Sequence, residues 1–295
     1  MMNIPTKQLR SGFRLPVYGI GLWHVGGRWD IDTSRDEQEI TAIQSAIDLG
    51  VTHIDTAESY ANGHSEELLG KALHGYERKS LTIATKVSGS HQSYDNVMKS
   101  CEASLKRIGT DYIDLYILHS YPDKGMHIVD TMRALDELVA QGVVKNIGVS
   151  NMTINRFAEA QKYTANKIVC NQLHYNVQYR EVEDKGLLRH CQDSDVFLVA
   201  WRPLQKGIFS QSPFLAELAE KYNKTPSQIA LNWLISQKNV VTIAKTSNLT
   251  HLEENLGAIG WDLDAADIEL IRTNFPDQKL VSDAVPLDYE ADIPA

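Results

Sequence analysis

The sequence predicts an α/β fold, a (β/α)8 TIM barrel, on three observations. Eight short apolar runs alternate with amphipathic stretches from about residue 18 to 258. Those stretches carry helical apolar stripes. The 295 residues exceed the roughly 250 that such a barrel takes.

The runs are Tyr18–Leu22, Thr52–Ile54, Leu81–Thr85, Asp114–Leu118, Val144–Val149, Ile168–Cys170, Val196–Trp201 and Val240–Ala244. Several are rich in Val and Ile and lack polar alternation, the pattern of parallel strands buried on both faces. Ahead of them, residues 7–17 predict a small hairpin turning at Ser11-Gly12. Between runs, Val97, Cys101, Leu105 and Ile108 share one helical face, as do Ile128, Met132, Leu135 and Leu138. Ile229 and Trp233 share another, with Ala230 and Leu234 beside them. Gly50, Gly109 and Gly142 follow helical patterns, where a residue with positive φ is wanted. Two extra helices are expected: 212–222, ahead of the one starting near Pro226, and one opened by Asp264, with Asp267 completing a partial capping box. One domain over 1–295 is predicted, with a short tail at 276–295. A doubly wound open sheet is the competing architecture; the hairpin and extra helices favour the barrel.

Composition narrows the function. Net charge is -9, and no Lys/Arg stripe forms, so nucleic acid is not an expected partner. Mean hydropathy is -0.29, and no apolar run approaches the ~20 residues of a membrane span. The N-terminal stretch lacks an unbroken apolar core, so no secretory signal is expected. Cys101, Cys170 and Cys191 form an odd, sparse set without CxxC, which suits a reducing, cytoplasmic setting. A monomer or small homo-oligomer is expected. Gly19-Ile-Gly21 lacks the third glycine of a dinucleotide fingerprint. There is no P-loop and no nucleophile elbow. His53-Ile-Asp55 is half of a strand-borne metal pair without a second half, so no metal is expected.

Four polar residues mark the ends of apolar runs: Asp55, Lys86 and His119 directly, and Tyr60 in the loop after Asp55. In βα barrels the C-terminal strand ends line the active site. Asp55 and Lys86 are charges at the rim of a buried layer and must pair. The plainer reading of each alone is a salt bridge closing the barrel, with Tyr60 packed over it. Four such residues at successive segments point to chemistry.

Here the sequence resembles the aldo-keto reductase family, from about residue 6 to 286. Asp55-Thr-Ala-Glu-Ser-Tyr60 looks like its D-T-A-x-x-Y motif, Thr85-Lys86 its lysine at the third strand end, and Leu118-His119 its histidine at the fourth. Gly148-Val-Ser150-Asn151 and Asn171-Gln172 resemble the motifs after the fifth and sixth strands. The resemblance implies hydride transfer between a nicotinamide cofactor and a carbonyl or alcohol. Tyr60 would be the general acid, with Lys86 lowering its pKa from about 10. Asp55 would hold Lys86, and His119 would donate a second hydrogen bond to the carbonyl oxygen.

The resemblance also implies cofactor contacts. Gly21, Leu22, Trp23 and Asp55 lie at the first two strand ends. Ser150, Asn151 and Gln172 would hold the carboxamide, and Trp201 would stack on the nicotinamide. Arg202, Pro203, Leu204, Gln205, Lys206 and Gly207 would line the pyrophosphate. At the adenosine end stand Lys245, Thr246, Ser247, Asn248, Glu254 and Asn255. The family's phosphate-clamping arginine is replaced by His251, which loses a permanent bidentate cation. NADPH is the expected cofactor, with NADH also usable. Trp23, Tyr60, His119 and Tyr121 are the expected substrate contacts, in a pocket left open by the short tail. The alternative reading is a cofactor-binding regulatory subunit resembling the potassium-channel β subunits.

Overall fold

The computed structural model describes residues 2–123 and 125–287. Eight parallel strands close into a barrel: β3 (Tyr18–Gly21), β4 (His53–Asp55), β5 (Thr82–Val87), β6 (Leu115–Leu118), β7 (Ile147–Ser150), β8 (Ile168–His174), β9 (Phe197–Trp201) and β10 (Val240–Ala244), with β10 returning to pair with β3. Before them, β1 (Thr6–Gln8) and β2 (Arg14–Pro16) form an antiparallel hairpin. It turns at Gly12, whose φ of 91° needs a residue without Cβ.

Helices follow the strands: α1 (Asp36–Leu49), α2 (His64–Ala72), α3 (Tyr94–Ile108), α4 (Ile128–Ala140), α5 (Ile154–Lys162), then α6 (Glu181–Asp184) and α7 (Leu187–Asp193) after β8. The expected extra helix is α8 (Pro213–Tyr222), placed before α9 (Pro226–Ser236); α10 (Leu249–Leu256) follows β10, and α11 (Ala265–Asn274) closes the series. The predicted apolar stripes face inward: Val97, Cys101 and Ile108, all four of the α4 set, and Ile229, Ala230, Trp233 and Leu234 are buried. Gly50, Gly109 and Gly142 all have positive φ after their helices.

Several boundaries differ from expectation. The run starting at Val144 becomes a strand only at Ile147, and Val144 makes an isolated bridge to Ile113. β8 extends past Cys170 to His174, because Asn171, Gln172, Leu173 and His174 stay paired with β9. The partial capping box at Asp264 does not form, as no side-chain cap bond is made there. Lys221 draws both carboxylates, Asp264 at 3.3 Å and Asp267 at 2.6 Å, and Tyr222 also donates to Asp267. A charge-assisted bond outcompetes a cap.

The hairpin closes one end of the barrel. Leu9 and Leu15 join Leu115, Ile117, Val169, Phe197, Val199 and Val241 in one buried cluster, with the ring of Phe13 6.0 Å from that of Phe197. The end is the one where strands begin, since Asp195, just before β9, accepts from the Arg10 N–H at 2.8 Å. Lys7 fastens it further by donating to the carbonyls of Ile235, Gln237 and Val240 at 2.6, 2.6 and 2.7 Å. Lys7→Met leaves those carbonyls without their charged donor and lowers unfolding free energy in urea by about 1.5–3 kcal/mol. A change within about 0.5 kcal/mol, the range of an inert surface substitution, would show that the hairpin needs no such fastening.

Candidate active site

Asp55 ends β4, Lys86 is the penultimate residue of β5, and His119 follows β6, so adjacent strands deliver all three to the same rim. Tyr60 comes from the turn leading into α2, where Ala61 and Asn62 adopt left-handed backbone. All four are brought together. Lys86 Nζ donates to Asp55 Oδ1 at 2.5 Å, Thr56 O at 2.7 Å and Tyr60 Oη at 3.1 Å. An ammonium has three protons, so all three are engaged. The phenolic oxygen of Tyr60 is an acceptor there, and its own hydrogen is directed away from Lys86.

The electrostatics follow from burial. Lys86 and Asp55 are 0% and 1% exposed. Burial opposes the charge on Lys86, but Asp55 and the Tyr60 oxygen outweigh it and hold the ammonium above its ordinary pKa. For Tyr60 the expected net depression does not occur. Burial raises its pKa, and although Lys86 pulls it down, the phenol stays above its ordinary value. The site therefore keeps Tyr60 protonated. Burial, with the Lys86 charge, drives His119 down to about 3, so its ring is neutral at working pH. Ser59 Oγ lies 3.4 Å from His119 Nδ1.

Two hydrogen-bond chains lead outward from this group. In one, Gln172 Nε2 donates to Asp55 Oδ2 at 2.8 Å, and Ser150 Oγ donates to the Gln172 carbonyl at 2.9 Å. In the other, Asn151 Nδ2 donates to the His119 carbonyl at 3.3 Å, and Trp201 Nε1 donates to Asn151 Oδ1 at 3.3 Å. The residues expected around a carboxamide are thus tied to those expected to do chemistry.

Beyond Trp201, Pro203 and Gln205 are buried, Arg202 and Leu204 half-buried, and Lys206 and Gly207 exposed. Gly21, Leu22, Thr246 and Ser247 line a narrow crevice together with Glu39 of α1. Lys245 and Asn248 are exposed beside it, and Asn248 Oδ1 caps α10 by accepting from the His251 N–H at 3.2 Å. His251 is exposed on the first turn of α10 and Glu254 is half-buried. Asn255 is buried, donating to Tyr18 Oη at 3.3 Å.

Trp23 packs edge-on against Tyr60 at 4.8 Å, and the exposed Trp29 packs on Trp23 at 4.9 Å. Tyr121 is the expected site residue with its polar atom engaged elsewhere. Its hydroxyl donates to Glu159 of α5 at 2.6 Å, under the Arg156 guanidinium.

The sequence reading missed Ser59, Trp29 and Arg28. Ser59 occupies a free position of the motif, and Trp29 and Arg28 lie in an irregular loop. The positive charges of Arg28, Lys245, Lys206 and Arg202 all bear on the His24 ring, whose pKa burial and these cations lower. Cations from three loops around one point of the mouth fit an anionic dinucleotide. His53, two residues before Asp55 on β4, is buried with both ring nitrogens unpartnered and driven by burial to about 4. Gly19 makes room for it, since a Cβ there would meet the His53 ring at 2.7 Å. Among the described residues, no group of three or more His, Cys, Asp or Glu could hold a metal ion. No helix there is long and apolar enough to cross a membrane.

A closed parallel barrel with a protonated tyrosine, a buried lysine–aspartate pair and a neutral histidine gathered at its C-terminal rim has the layout of a barrel enzyme. The chain matches the Aldo/keto reductase family over residues 18–273. It is 32% identical to methylglyoxal reductase YeaE of Escherichia coli over 279 residues, covering 92% of this chain and 95% of that protein. It is 31% identical to glyoxal reductase of Bacillus subtilis, covering 93% and 94%. Among solved structures, thermostable aldo-keto reductase Tm1743 bound to epalrestat superposes with a TM-score of 0.88 at 40% identity, covering 91% of this chain and 98% of that one. A Klebsiella pneumoniae aldo-keto reductase in complex with NADPH gives 0.84 at 29%, covering 94% and 97%. The chain belongs to the aldo/keto reductase family and is a nicotinamide-dependent oxidoreductase of carbonyl groups.

Proposed function

We propose that the protein reduces small reactive aldehydes and ketones with NADPH, with Tyr60 as proton donor. The reading rests above all on one observation: Lys86 Nζ reaches both Asp55 and Tyr60 while Tyr60 stays protonated. When bound, the cofactor supplies the hydride that goes to the carbonyl carbon. The chain's own residues manage the oxygen. His119, neutral, donates a hydrogen bond to it as negative charge develops, and Tyr60 passes its proton to it. The resulting phenolate is stabilised by Lys86, whose charge Asp55 keeps in place. Ser150, Asn151 and Gln172 hold the carboxamide and Trp201 supports the nicotinamide ring. Arg202, Lys206, Arg28 and Lys245 meet the phosphates. Trp23 and Trp29 wall the substrate side and favour carbonyls with a small apolar body. The names of the two relatives direct the first assays to methylglyoxal and glyoxal. Three buried free thiols suit a reducing cytoplasm.

The test is NADPH- and NADH-dependent reduction of a carbonyl panel that includes both dicarbonyls. No turnover of any of them, despite tight dinucleotide binding, would favour a regulatory role instead. Binding of NADPH is expected to quench tryptophan fluorescence, and Trp201→Ala to remove most of the quench and weaken binding. An unchanged quench would move the platform to another tryptophan.

Cofactor choice turns on the start of α10. His251 stands where a fixed cation would clamp a 2′-phosphate, so NADH is used alongside NADPH. His251→Arg adds a bidentate cation and is expected to raise the NADPH/NADH ratio of kcat/KM by about tenfold, the scale of one charge-assisted bond. An unchanged ratio would place discrimination at Lys245 and Thr246 alone.

A further inference from the structure

The segment after α11 is stitched onto the loop that follows β8. The Arg180 N–H donates to Lys279 O, and the Lys279 N–H to Gln178 O, both at 2.8 Å. The buried carboxylate of Glu181 accepts from the Ser282 N–H at 2.8 Å and the Leu287 N–H at 2.9 Å. This anchoring carries Ser282 and Asp283 to the cofactor side of the mouth. Ser282 Oγ sits 2.8 Å from His174 Nδ1. The His174 ring is the middle of a three-ring stack, 4.5 Å from Tyr179 and 4.4 Å from Trp201. Asp283 accepts from Arg202 Nη1 and from Gln205 Nε2, each at 3.2 Å.

The loop that Asp283 holds is strained. Arg202, Gln205 and Lys206 have φ of 53°, 45° and 59°, left-handed backbone at three residues with side chains. Such conformations persist only where neighbours fix them. Asn176 Nδ2 supports the Arg202 carbonyl at 2.9 Å; Asp283 supports the side chains at both ends of the first strained turn.

We propose that Asp283, aided by Ser282, is a positioning residue for the dinucleotide. The C-terminal segment braces the cofactor loop from the side and the Trp201 platform from behind. The inference rests on the cofactor reading given above. A held loop presents its donors to the pyrophosphate without first having to be ordered, which is where the affinity comes from. Asp283 touches neither substrate nor reacting atoms, so its effect belongs in cofactor affinity rather than in turnover.

The test uses the full chain with NADPH and methylglyoxal. Asp283→Ala is expected to raise the NADPH Kd about five- to tenfold, the scale of a charged hydrogen bond. At saturating NADPH, kcat and the carbonyl KM stay near wild type. Asp283→Glu restores most of the affinity, and Ser282→Ala gives a smaller rise with a weaker tryptophan quench. Asp283 is 44% exposed, so the variants are expected to fold, and circular dichroism confirms it. NADPH binding in Asp283→Ala as tight as wild type overturns the brace, as does a loss that falls equally on carbonyl KM and kcat. A wild-type protein that binds no dinucleotide overturns the cofactor reading itself, and the brace with it.

Discussion

Tyr60→Phe lowers kcat for carbonyl reduction by about 10²- to 10⁴-fold and leaves NADPH binding nearly intact. The substitution keeps the ring against Trp23 and removes one oxygen. No neighbour can replace the proton. His119 is held neutral, with its pKa near 3, and offers a hydrogen bond but no acidic proton. Lys86 is held charged, with its three protons engaged. The pH dependence has a definite sign. Because the Tyr60 pKa is raised above its ordinary value of 10, the acid form is full at every lower pH. Reduction is therefore flat from about pH 6 to 9, as far as this group decides it. Alcohol oxidation needs the phenolate and climbs roughly tenfold per unit over the same window. A reduction rate that falls steeply between pH 7 and 9, or near-normal turnover in a folded Tyr60→Phe protein, would assign the proton to another group.

Lys86→Met has the second large effect, and it strikes activity and stability together. Without the ammonium, Asp55 is an uncompensated carboxylate in a buried site, a defect that costs about 3–5 kcal/mol. The phenolate left after proton transfer loses its cation, and kcat falls by about 10²- to 10³-fold. Lys86→Arg does not rescue it, because a planar fork cannot address three acceptors arranged around a point charge. A double variant with Asp55→Asn recovers part of the stability, since no orphan charge remains, but none of the turnover. Equal stability of Lys86→Met and wild type, measured by urea unfolding, would mean that the Asp55–Lys86 pair contributes nothing net to folding.

The sequence carried the barrel because its strands are buried on both faces, and it carried Asp55, Lys86 and His119 because each ends an apolar run, and Tyr60 because it stands in the motif that Asp55 opens. Patterning reports which residues a chain hides, not what they touch. Gln172 and Asp55 are 117 positions apart, and nothing local announces their bond. β8 reads short because Asn171, Gln172 and His174 look like loop residues; Gln172 and His174 are polar because they bond Asp55 and Ser282 at the mouth, and Asn171 because it bonds the Met152 backbone. Tyr121 reads as a site residue from its closeness to His119, yet its hydroxyl bonds α5. The stretch from 279 to 287 has no periodicity at all, so its grip on Glu181 and Arg202 is invisible without coordinates. The depressed Tyr60 pKa expected from a neighbouring ammonium failed for a related reason: sequence shows the neighbour and not the depth of burial.

The hairpin caps a solid and not a pipe. The inside of such a barrel is packed with side chains, so Leu9, Phe13 and Leu15 seal the floor of a core and leave the opposite rim, where Asp55, Lys86 and His119 stand, free for exchange. On the reading proposed above, a dinucleotide lying against Trp201 and a carbonyl resting over Tyr60 would share that one rim. An inert carbonyl mimic held over Tyr60 is then expected to slow cofactor departure as well as to block the next substrate.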